Sequence, residues 1–548
     1  MKVSDLLVAC LEAEGVGAVY GVPGEENADL MMSLEGSAID FVLTRHEQGA
    51  AFMASVHGRL TGSPVVCLGT LGPGATNLIT GVADADMDHA PMLVITGQAG
   101  VDRMHKESHQ VMDVVAMYKP VTKWSVTIRD AATIPEIVRK AVRLARAEKP
   151  GAVHLELPED VAKHETDARP LTPRRFRRPG PDAQAADAAW ARLKAAKRPI
   201  LITGNGAVRA RASAALRRFC AVTGIGAVCT FMGKGALDMD DPRCLFTLGL
   251  QQRDLAAHEI AEADLVMTVG YDLVEYPPRL WNADGATPVL HVDFDPAEID
   301  AFCTPEVELI GDLASCLEAL TERAERDGPG DWDVSGQQAL RAAMQAEFAE
   351  HAEDDAPRIK PQKAVWEARR ALGPRDVLLS GVGAHKMWIG RHYQCHEPNT
   401  CLIPNGFCSM GQPLPGAIAA HRAAPDRRVL ALCGDGDFMM NVQEMETARR
   451  LNARITVMVW EDGEYGLIAW KQDEEFGRHT DLTFGNPDWS SLAQAFGWGF
   501  HRPDGSAGLR AALEAALEEE GPSLLIVPID YAENGKLTER LGALQAAI

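Results

Sequence analysis

Two Asp-Gly steps near the C-terminus combine the residue types that a metal-assisted phosphate site needs. Asp435 with Gly436 comes shortly after the apolar run "RVLAL", and Asp462 with Gly463 comes directly after "ITVMVWE". Mg²⁺ accepts one or two protein carboxylates while it keeps water and phosphate oxygens. Glycine lets the backbone approach a diphosphate closely and offers its N–H as a donor. The two steps together predict a cation-held diphosphate, although a single Asp-Gly step is also ordinary turn chemistry.

The elements around these acids must bring the two carboxylates together. In open parallel sheets, ligands lie beyond the carboxyl ends of the strands. The segment "VQEMETARRLN" between the two apolar runs predicts a helix. A right-handed crossover through that helix would join two parallel strands. We therefore expect the strands before Asp435 and Asp462 to be neighbours in one sheet.

Short apolar runs alternate with helical segments along the whole chain, which is typical of parallel sheets covered on both faces. The predicted strands are "AVYGVP", "DFVLTR", "PVVCLGT", "PMLVITG", "AVHLELP", "PILITGNG", "IGAVCT", "DLVMTVG", "PVLHVDFD", "VELIGD", "DVLLSGVG", "RVLALCGDGD", "ITVMVWEDG" and "PSLLIVPID". The predicted fold class is α/β, with three doubly wound parallel-sheet domains. We expect these domains at residues 1–165, 185–322 and 360–548, with a linker rich in Pro and Arg at 166–184.

The charge composition limits the kinds of partner that this protein is expected to bind. The chain has 77 acidic and 54 basic residues and a net charge of −23. Such a surface repels nucleic acids and anionic membranes, so we expect no nucleic-acid and no membrane partner. No apolar run is long enough to predict a membrane span. The 11 cysteines are scattered without a Cys-x-x-Cys pair, which predicts free thiols and a cytoplasmic location.

Further motifs resemble those of the thiamin diphosphate enzymes. "YGVPGEEN" (20–27), "TRHEQGAAFMA" (44–54) and "TLGPGATN" (70–77) resemble the pyrimidine-binding domain of that family. "GVGAHKMW" (381–388), "NGFCSMGQPLPGAIAA" (405–420) and "GDGDF" followed by "WEDGEYG" resemble its diphosphate-binding domain. The motifs stand in the family's order and cover essentially the whole chain. Within this family the chain is most similar to the acetolactate synthases.

The resemblance implies three catalytic residues. Glu47 would hydrogen-bond N1′ of the cofactor's aminopyrimidine and share the proton that starts the reaction, as a general acid–base group. His109 and Gln110 would lie near the substrate carbonyl. Without the resemblance, a glutamate in the first turn of a helix merely complements the helix dipole, and a polar His-Gln pair is an ordinary solvated surface.

The resemblance also implies the residues that hold the cofactor and its metal ion. Asp435, Asp462 and the backbone carbonyl of Glu464 would bind Mg²⁺. Met410 would support the bent cofactor, although a methionine there also fits ordinary packing. The full set of implied cofactor contacts is Asn77, Gly383, Ala384, His385, Ser409, Met410, Gly434, Gly436, Asp437 and Tyr465.

Several segments bear on the subtype and on FAD. Asp462 stands where the FAD-dependent biosynthetic enzymes usually carry Asn and the FAD-independent catabolic enzymes carry Asp. "SHQVMDVVAMYKPVTKW", "GYDLVEYPPRLWN" and "IDYAENGKLTERLG" also resemble the catabolic type, whereas "GVGAHKMW" is nearer the biosynthetic pattern. Phe407 and Cys408 stand where the catabolic enzymes tend to carry Gln. "PILITGNGAVRA" gives only part of a dinucleotide signature, so FAD is possible but not expected, and the central domain is predicted to be empty.

The activity implied is decarboxylation of pyruvate and joining of the product to a second pyruvate, which gives 2-acetolactate and CO₂. The alternatives are another thiamin diphosphate-dependent 2-keto acid decarboxylase or carboligase, an FAD-dependent relative, or a non-catalytic homologue. Glu47 lies in the first predicted domain and Asp435 in the third. In the family such residues meet between two subunits, so we expect a homodimer or homotetramer with active sites at the interface.

Overall fold

The computed structural model describes residues 1–174, 177–250, 255–535 and 537. Within these residues, the strands form three six-stranded sheets, and their strand pairs run parallel. The predicted α/β class with three parallel sheets is therefore confirmed. The end of the C-terminal range 360–548 and of the segment "IDYAENGKLTERLG" lies outside the described residues.

The first sheet has the order β2-β1-β3-β4-β6-β5. Its strands are β1 (Ala18–Gly21), β2 (Asp40–Leu43), β3 (Val65–Gly69), β4 (Met92–Gln98), β5 (Trp124–Thr127) and β6 (Ala152–Pro158). The helices of this unit are α1 (Val3–Ala13), α2 (Ala28–Glu35), α3 (Glu47–Thr61), α4 (Pro73–Met87), α5 (Val114–Tyr118), α6 (Ile134–Arg146) and α7 (Glu159–Lys163).

The central sheet has the order β12-β11-β10-β7-β8-β9. Its strands are β7 (Pro199–Thr203), β8 (Ala227–Cys229), β9 (Cys244–Thr247), β10 (Leu265–Val269), β11 (Val289–Asp293) and β12 (Pro305–Ile310). Its helices are α8 (Ala183–Ala195), α9 (Asn205–Arg209), α10 (Ser213–Thr223), α11 (Leu255–Ala261), α12 (Leu313–Asp327) and α13 (Ser335–Ala349).

The third sheet has the order β14-β13-β15-β16-β18-β17. Its strands are β13 (Val377–Ser380), β14 (Cys401–Leu402), β15 (Val429–Gly434), β16 (Thr456–Glu461), β17 (Gly499–His501) and β18 (Ser523–Pro528). Its helices are α14 (Pro361–Ala371), α15 (Ala384–His392), α16 (Pro413–Ala423), α17 (Asp435–Met439), α18 (Glu444–Arg450), α19 (Gly466–Phe476), α20 (Trp489–Phe496) and α21 (Gly505–Glu518).

One buried cluster of side chains joins the first and third units. Ala50 and Val56 of α3 belong to the same cluster as Leu414 and Ile418 of α16. A Cβ added at Gly416 would lie 3.0 Å from Val56 Cγ2, so glycine permits the close approach of these two helices. The three sheets lie inside the predicted ranges 1–165, 185–322 and 360–548. The division of the chain into domains at those boundaries stays a prediction, since the first and third sheets share this core.

Among the described residues, no helix is both long enough and apolar enough to cross a lipid bilayer. All 11 cysteines lie in the described part of the chain and are free thiols.

Candidate functional site

The two predicted metal-binding aspartates follow neighbouring strands. β15 pairs in parallel with β16, and Gly434 stands opposite Trp460 at the carboxyl ends. This confirms the predicted pairing of the two strands. The buried carboxylate of Asp435 is held by its Oδ2 atom, which accepts hydrogen bonds from Gly463 N at 2.8 Å and from Asn486 Nδ2 at 2.7 Å. Asp435 is therefore fixed at the strand end, 1% exposed.

Asp462 and Glu464 lie on the loop that follows β16. Burial raises the pKa of Asp462 to about 7, and the charge of the neighbouring Asp435 adds to the rise. Two close carboxylates repel each other, and a cation between them would favour the ionised form of both. The side chain of Glu464 is instead drawn toward His479, with 3.2 Å between Oε1 and Nε2. The loop therefore offers a carboxylate at Asp462 and leaves the backbone carbonyl as the predicted contribution of Glu464.

A pocket beyond these strand ends gathers most of the predicted cofactor residues. The segments that follow β13, β15, β16 and β18 line it, together with Met410 from the loop before α16. The structure brings together all of the predicted metal and cofactor residues of the third unit except Ser409. The lining is Val382, Gly383, Ala384, His385, Met410, Gly434, Asp435, Gly436, Asp437, Asp462, Glu464, Tyr465, Gly466, Leu467, Ile468 and Tyr531.

Asp437 positions two of these loops through its carboxylate. Its Oδ2 accepts a hydrogen bond from Val382 N at 3.0 Å, and its Oδ1 accepts one from Gly411 N. A Cβ added at Gly381 would lie 1.8 Å from Asp437 Oδ2, so a glycine is required there. Asp437 thus joins the loop after β13 to the loop that carries Met410.

Polar atoms around the pocket fit the diphosphate and metal chemistry that the sequence predicts. In the described part of the chain, His385 Nε2, Ser409 Oγ and Asn486 Oδ1 are buried without a hydrogen-bond partner. Burial of an unpaired polar group costs free energy, which a polar ligand recovers. A Cβ at Gly436 would lie 3.0 Å from Tyr465 Cε1, so a larger residue at position 436 would narrow the pocket. His385 Nε2 and Ser409 Oγ can donate to a diphosphate, whereas Asn486 Oδ1 is an acceptor that, like the two carboxylates, suits hydrated Mg²⁺.

The predicted catalytic glutamate begins α3, as expected. The helix follows His46, whose Nδ1 accepts a hydrogen bond from Gln48 N at 3.1 Å, and it ends before Gly62, where φ is 69°. Glu47 is 8% exposed, and its Oε2 accepts a hydrogen bond from Asn77 Nδ2 at 2.9 Å. Glu47 and Asn77, both predicted from the sequence, therefore form one polar cluster in the first unit.

The segment that carries His109 and Gln110 is an exposed loop. Gln110 has φ 59°, a left-handed conformation that ends any helical course there. A Cβ at Gly72 would lie 2.9 Å from Gln110 Cβ, so this loop packs against the turn before α4. Gln110 is thereby placed beside the α3–α4 region, with His109 next to it.

The pocket beyond β15 and β16, called the metal pocket after its predicted ligands, does not include the Glu47 cluster, which is Glu47 with Asn77. The pocket lining comes from residues 382–531. Glu47, Asn77, His109 and Gln110 are not part of it.

Two residues that position parts of the site were not predicted from the sequence. Asn486, which donates to Asp435, lies between α19 and α20 in a segment without a recognisable pattern. Glu444, at the start of α18, accepts hydrogen bonds from Arg45 N and His46 N, each at 3.1 Å from its Oε1. This carboxylate ties the third unit to the residues directly before Glu47. The only available signal for Glu444 was its position as an acid in the predicted helix that follows the GDG step.

Three domain families match successive parts of the chain. Residues 1–117 match the "thiamine pyrophosphate enzyme, N-terminal TPP binding domain", thiamine pyrophosphate being another name for thiamin diphosphate. Residues 186–320 match the central domain of these enzymes, and residues 381–527 match their C-terminal TPP binding domain. The lining of the metal pocket falls in the C-terminal match except for Tyr531, and Glu47 falls in the N-terminal match.

Full-length relatives support the same placement. An acetolactate synthase of Bacillus subtilis (strain 168) is 33% identical over 99% of this chain and 96% of its own length. A catabolic acetolactate synthase of Raoultella terrigena is 33% identical over 98% of this chain and 97% of its own. The acetolactate synthase isozyme 2 large subunit of Escherichia coli (strain K12) is 34% identical over 97% and 96%. The chain therefore belongs to the acetolactate synthase family of thiamine pyrophosphate enzymes.

Proposed function

We propose that this protein is a thiamin diphosphate- and Mg²⁺-dependent carboligase that converts two pyruvate molecules into 2-acetolactate and CO₂. The observation that carries the proposal is the pocket beyond β15 and β16. It joins Asp435 and Asp462 with the buried Nε2 atom of His385, which has no hydrogen-bond partner among the described residues. Relatives that match the chain over its full length bear the names of acetolactate synthases.

The polar residues of the pocket have distinct proposed tasks. Asp435, Asp462 and the backbone carbonyl of Glu464 hold Mg²⁺, and His385 donates to the diphosphate. Ser409, next to Met410 but outside the pocket lining, is proposed as a further donor. When bound, the cofactor supplies a carbon that adds to the keto group of pyruvate and accepts the electron pair that CO₂ leaves behind.

The remaining tasks belong to Met410 and to the Glu47 cluster. Met410 supports the cofactor with an apolar surface. Glu47 holds and returns a proton at N1′ of the aminopyrimidine, and Asn77 orients its carboxylate through the 2.9 Å hydrogen bond. His109 and Gln110 orient the substrate carbonyl.

A second copy of the chain completes this site in our proposal. Glu47 does not line the metal pocket of its own chain, yet both are needed for the reaction. A two-fold pair would place Glu47 of one chain beside the pocket of the other, twice. The homodimer, or a homotetramer built from two such pairs, is part of the proposal. So is a cytoplasmic location, which the 11 free thiols support.

We further propose that catalysis needs no FAD, because the central unit's own residues occupy the place of a dinucleotide. Such ligands bind where the strand order reverses, here between β7 and β10. At this point the carboxylate of Glu275 accepts hydrogen bonds from Asn205 N at 2.9 and 3.1 Å and from Thr230 Oγ1 at 2.5 Å. A Cβ at Gly206 would lie 2.5 Å from Gly270 Cα, so the two loops touch. A phosphate placed here would face the carboxylate of Glu275 and would lack space between the backbones of Gly206 and Gly270.

A product assay with pyruvate tests the proposed activity. We expect 2-acetolactate and CO₂ in equal amounts when thiamin diphosphate and Mg²⁺ are present, and none when either is withheld. Acetaldehyde or acetyl phosphate as the main product would assign a different chemistry to the same pocket.

A visible absorption spectrum of the active protein tests the role of the central unit. We expect no flavin bands and no gain in activity on addition of FAD. Flavin bands that track activity would contradict the closed central site.

A further inference from the structure

A cleft lined by arginines lies where the three sheet units meet. Its walls come from the ends of α3 and α6, from the segment that precedes α8, from α9 and from the loop before β14. The chain as a whole carries a net charge of −23, so a local cluster of arginines contrasts with the mostly acidic protein. Asp88 is the one carboxylate of the lining, and the arginines are Arg59, Arg146, Arg178, Arg209 and Arg211.

Two buried arginines at the cleft have N–H groups that no described residue satisfies. Arg209 donates from Nε to Glu148 at 2.6 Å and from Nη1 to Asp272 at 2.5 Å, and its side chain is 8% exposed. Its buried Nη2 has no hydrogen-bond partner in the described part of the chain, and neither has the buried Nε of Arg59. Buried donors without an acceptor are costly, and an anion would supply the acceptors.

Two exposed arginines at the rim keep their charges available. Arg146 Nη2 reaches Ser63 Oγ at 3.4 Å, and Arg211 Nη2 donates to Thr61 O at 2.5 Å. Neither forms an ion pair with a carboxylate among the residues that the structure describes. By contrast, Arg178 is paired with Glu148 at 2.9 Å. Arg146 and Arg211 therefore contribute positive charge that the fold itself does not neutralise.

The charges around the cleft partly cancel. Oδ1 of Asp88 accepts hydrogen bonds from Gly406 N at 2.7 Å and Asn405 N at 3.2 Å, and its Oδ2 lies 3.5 Å from Arg59 Nη1. Arg178 is paired with Glu148, and Arg209 is paired with Glu148 and Asp272. Burial lowers the pKa of His89 to about 4, so its ring is neutral near pH 7. The net positive charge of the cleft therefore comes from Arg146 and Arg211.

We propose that this cleft binds a phosphate-type oxyanion, either inorganic phosphate or the phosphate group of a nucleotide or sugar phosphate. Guanidinium groups match the geometry of phosphate oxygens and keep their charge at all physiological pH values. The cavity has a volume of about 60 Å³, which suits one such group while the rest of a larger ligand stays outside. The cleft is distinct from the metal pocket and from the Glu47 cluster, so this proposal does not depend on the proposed activity.

An anion in this cleft would connect the first, central and third units. A ligand that binds the native state and not the unfolded chain stabilises the native state by mass action. We therefore expect phosphate to raise the melting temperature in a saturable manner. General salt effects do not saturate at a defined affinity.

Calorimetric titration of the protein loaded with thiamin diphosphate and Mg²⁺ tests the proposal, because the catalytic pocket is then filled. Inorganic phosphate and ADP are the two probes, with chloride at matched ionic strength as the blank. The variants are Arg146→Gln and Arg211→Gln, and the control is Arg129→Gln, an exposed arginine outside the cleft. We expect saturable binding by the wild type and the control, and affinity about ten-fold lower in each cleft variant.

The two probes separate the sources of the anion. Tighter binding of ADP, competed by phosphate, assigns the cleft to a nucleotide, and tighter binding of phosphate assigns it to the free ion. The proposal is overturned if neither probe binds saturably, if the cleft variants bind as tightly as the wild type, or if chloride raises the melting temperature equally.

Discussion

At the scale of single residues, the site is a set of acids that neighbouring groups hold in place. The carboxylate of Asp435 accepts N–H donors from the loop after β16 and from Asn486, so little reorganisation is needed when a cation binds. The sequence predicted Asp435 and Asp462 because each follows an apolar run with an Asp-Gly step, whereas Glu47 was implied by the resemblance to thiamin diphosphate enzymes. It did not predict Asn486 or Glu444, because only tertiary folding brings these residues beside their partners.

Replacement of Glu47 by Gln tests the residue proposed to move the proton. The amide keeps the size and the contact with Asn77 but cannot share a proton with N1′. We expect kcat for acetolactate formation to fall about 10²–10⁴-fold, the usual contribution of a general acid–base group. Steady-state assays and circular dichroism measure this fall and the intact fold. The control is Glu35→Gln, a change at an exposed residue at the end of α2, and this variant should retain full activity. A Glu47→Gln variant with near wild-type turnover would remove Glu47 from the mechanism.

Asn486→Ala tests the positioning of the metal ligand. The change removes the 2.7 Å hydrogen bond to Asp435 Oδ2 and leaves both carboxylates in the chain. Loss of an outer partner of a metal ligand lowers metal affinity about 10–100-fold. Titration of activity with Mg²⁺ should show that shift in half-saturation, with turnover largely restored at high Mg²⁺. An unchanged half-saturation concentration would show that Asn486 does not position Asp435.

At the scale of elements, the central strands were predictable and several edge strands were not. The runs that became β15 and β16 are almost continuously apolar and buried, which is a strong signal for central parallel strands. The strands that the sequence analysis missed are β5, β9, β14 and β17, and each lies at the edge of its sheet. Edge strands are short, and β5 and β17 are only partly buried, so the apolar signal is weak. The contact of α3 with the third unit could not be predicted, since it joins residues far apart in the chain.

Gly49→Ala tests the contact between α3 and α18. A Cβ at this position would lie 2.7 Å from Glu444 Oε1, which accepts the backbone N–H groups before Glu47. Overpacking of this kind costs about 1–3 kcal/mol. We expect a lower melting temperature and reduced kcat, because the start of α3 must move. Gly36→Ala is the matched control, since the nearest atom to its Cβ is 3.8 Å away. Equal behaviour of the two variants would contradict the proposed contact.

Asp84→Asn tests the buried acid that links α4 to the loop of Met410. Asp84 Oδ1 accepts a hydrogen bond from Ser409 N at 3.2 Å, and Oδ2 accepts one from Gln412 Nε2 at 2.8 Å. Burial, with repulsion from Asp88, raises the pKa of Asp84 to about 8. An unfolded aspartate titrates near about 4, so the folded chain keeps a proton that the unfolded chain loses. The stability that Asp84 contributes is therefore present below about pH 4 and is lost as pH rises toward about 8.

The melting temperatures of the wild type and of Asp84→Asn, compared from about pH 5 to about pH 9, measure this effect. We expect the wild type to lose stability relative to the variant over this range, because asparagine cannot ionise. Parallel curves for the two proteins would show that Asp84 does not titrate in this way.

At the scale of the whole molecule, the proposed site draws on two of the three units. The metal pocket lies in the third unit, and Glu47 lies in the first, outside the lining of that pocket. In our proposal, Glu47 of a second copy completes the site. The three domain matches and the full-length relatives agree with a thiamin diphosphate enzyme.

Acetolactate formation by a mixed pair of inactive variants tests this account most directly. A Glu47→Gln chain and an Asp435→Asn chain, each with its own affinity tag, are co-expressed in one cell. Co-expression allows mixed dimers to form, and the two tags identify them. A dimer with one chain of each kind has one site with both changes and one site with neither. We expect each variant alone to be inactive and the random mixture to recover about a quarter of wild-type activity. A mixture as inactive as its parents would contradict a site shared between Glu47 of one chain and Asp435 of another.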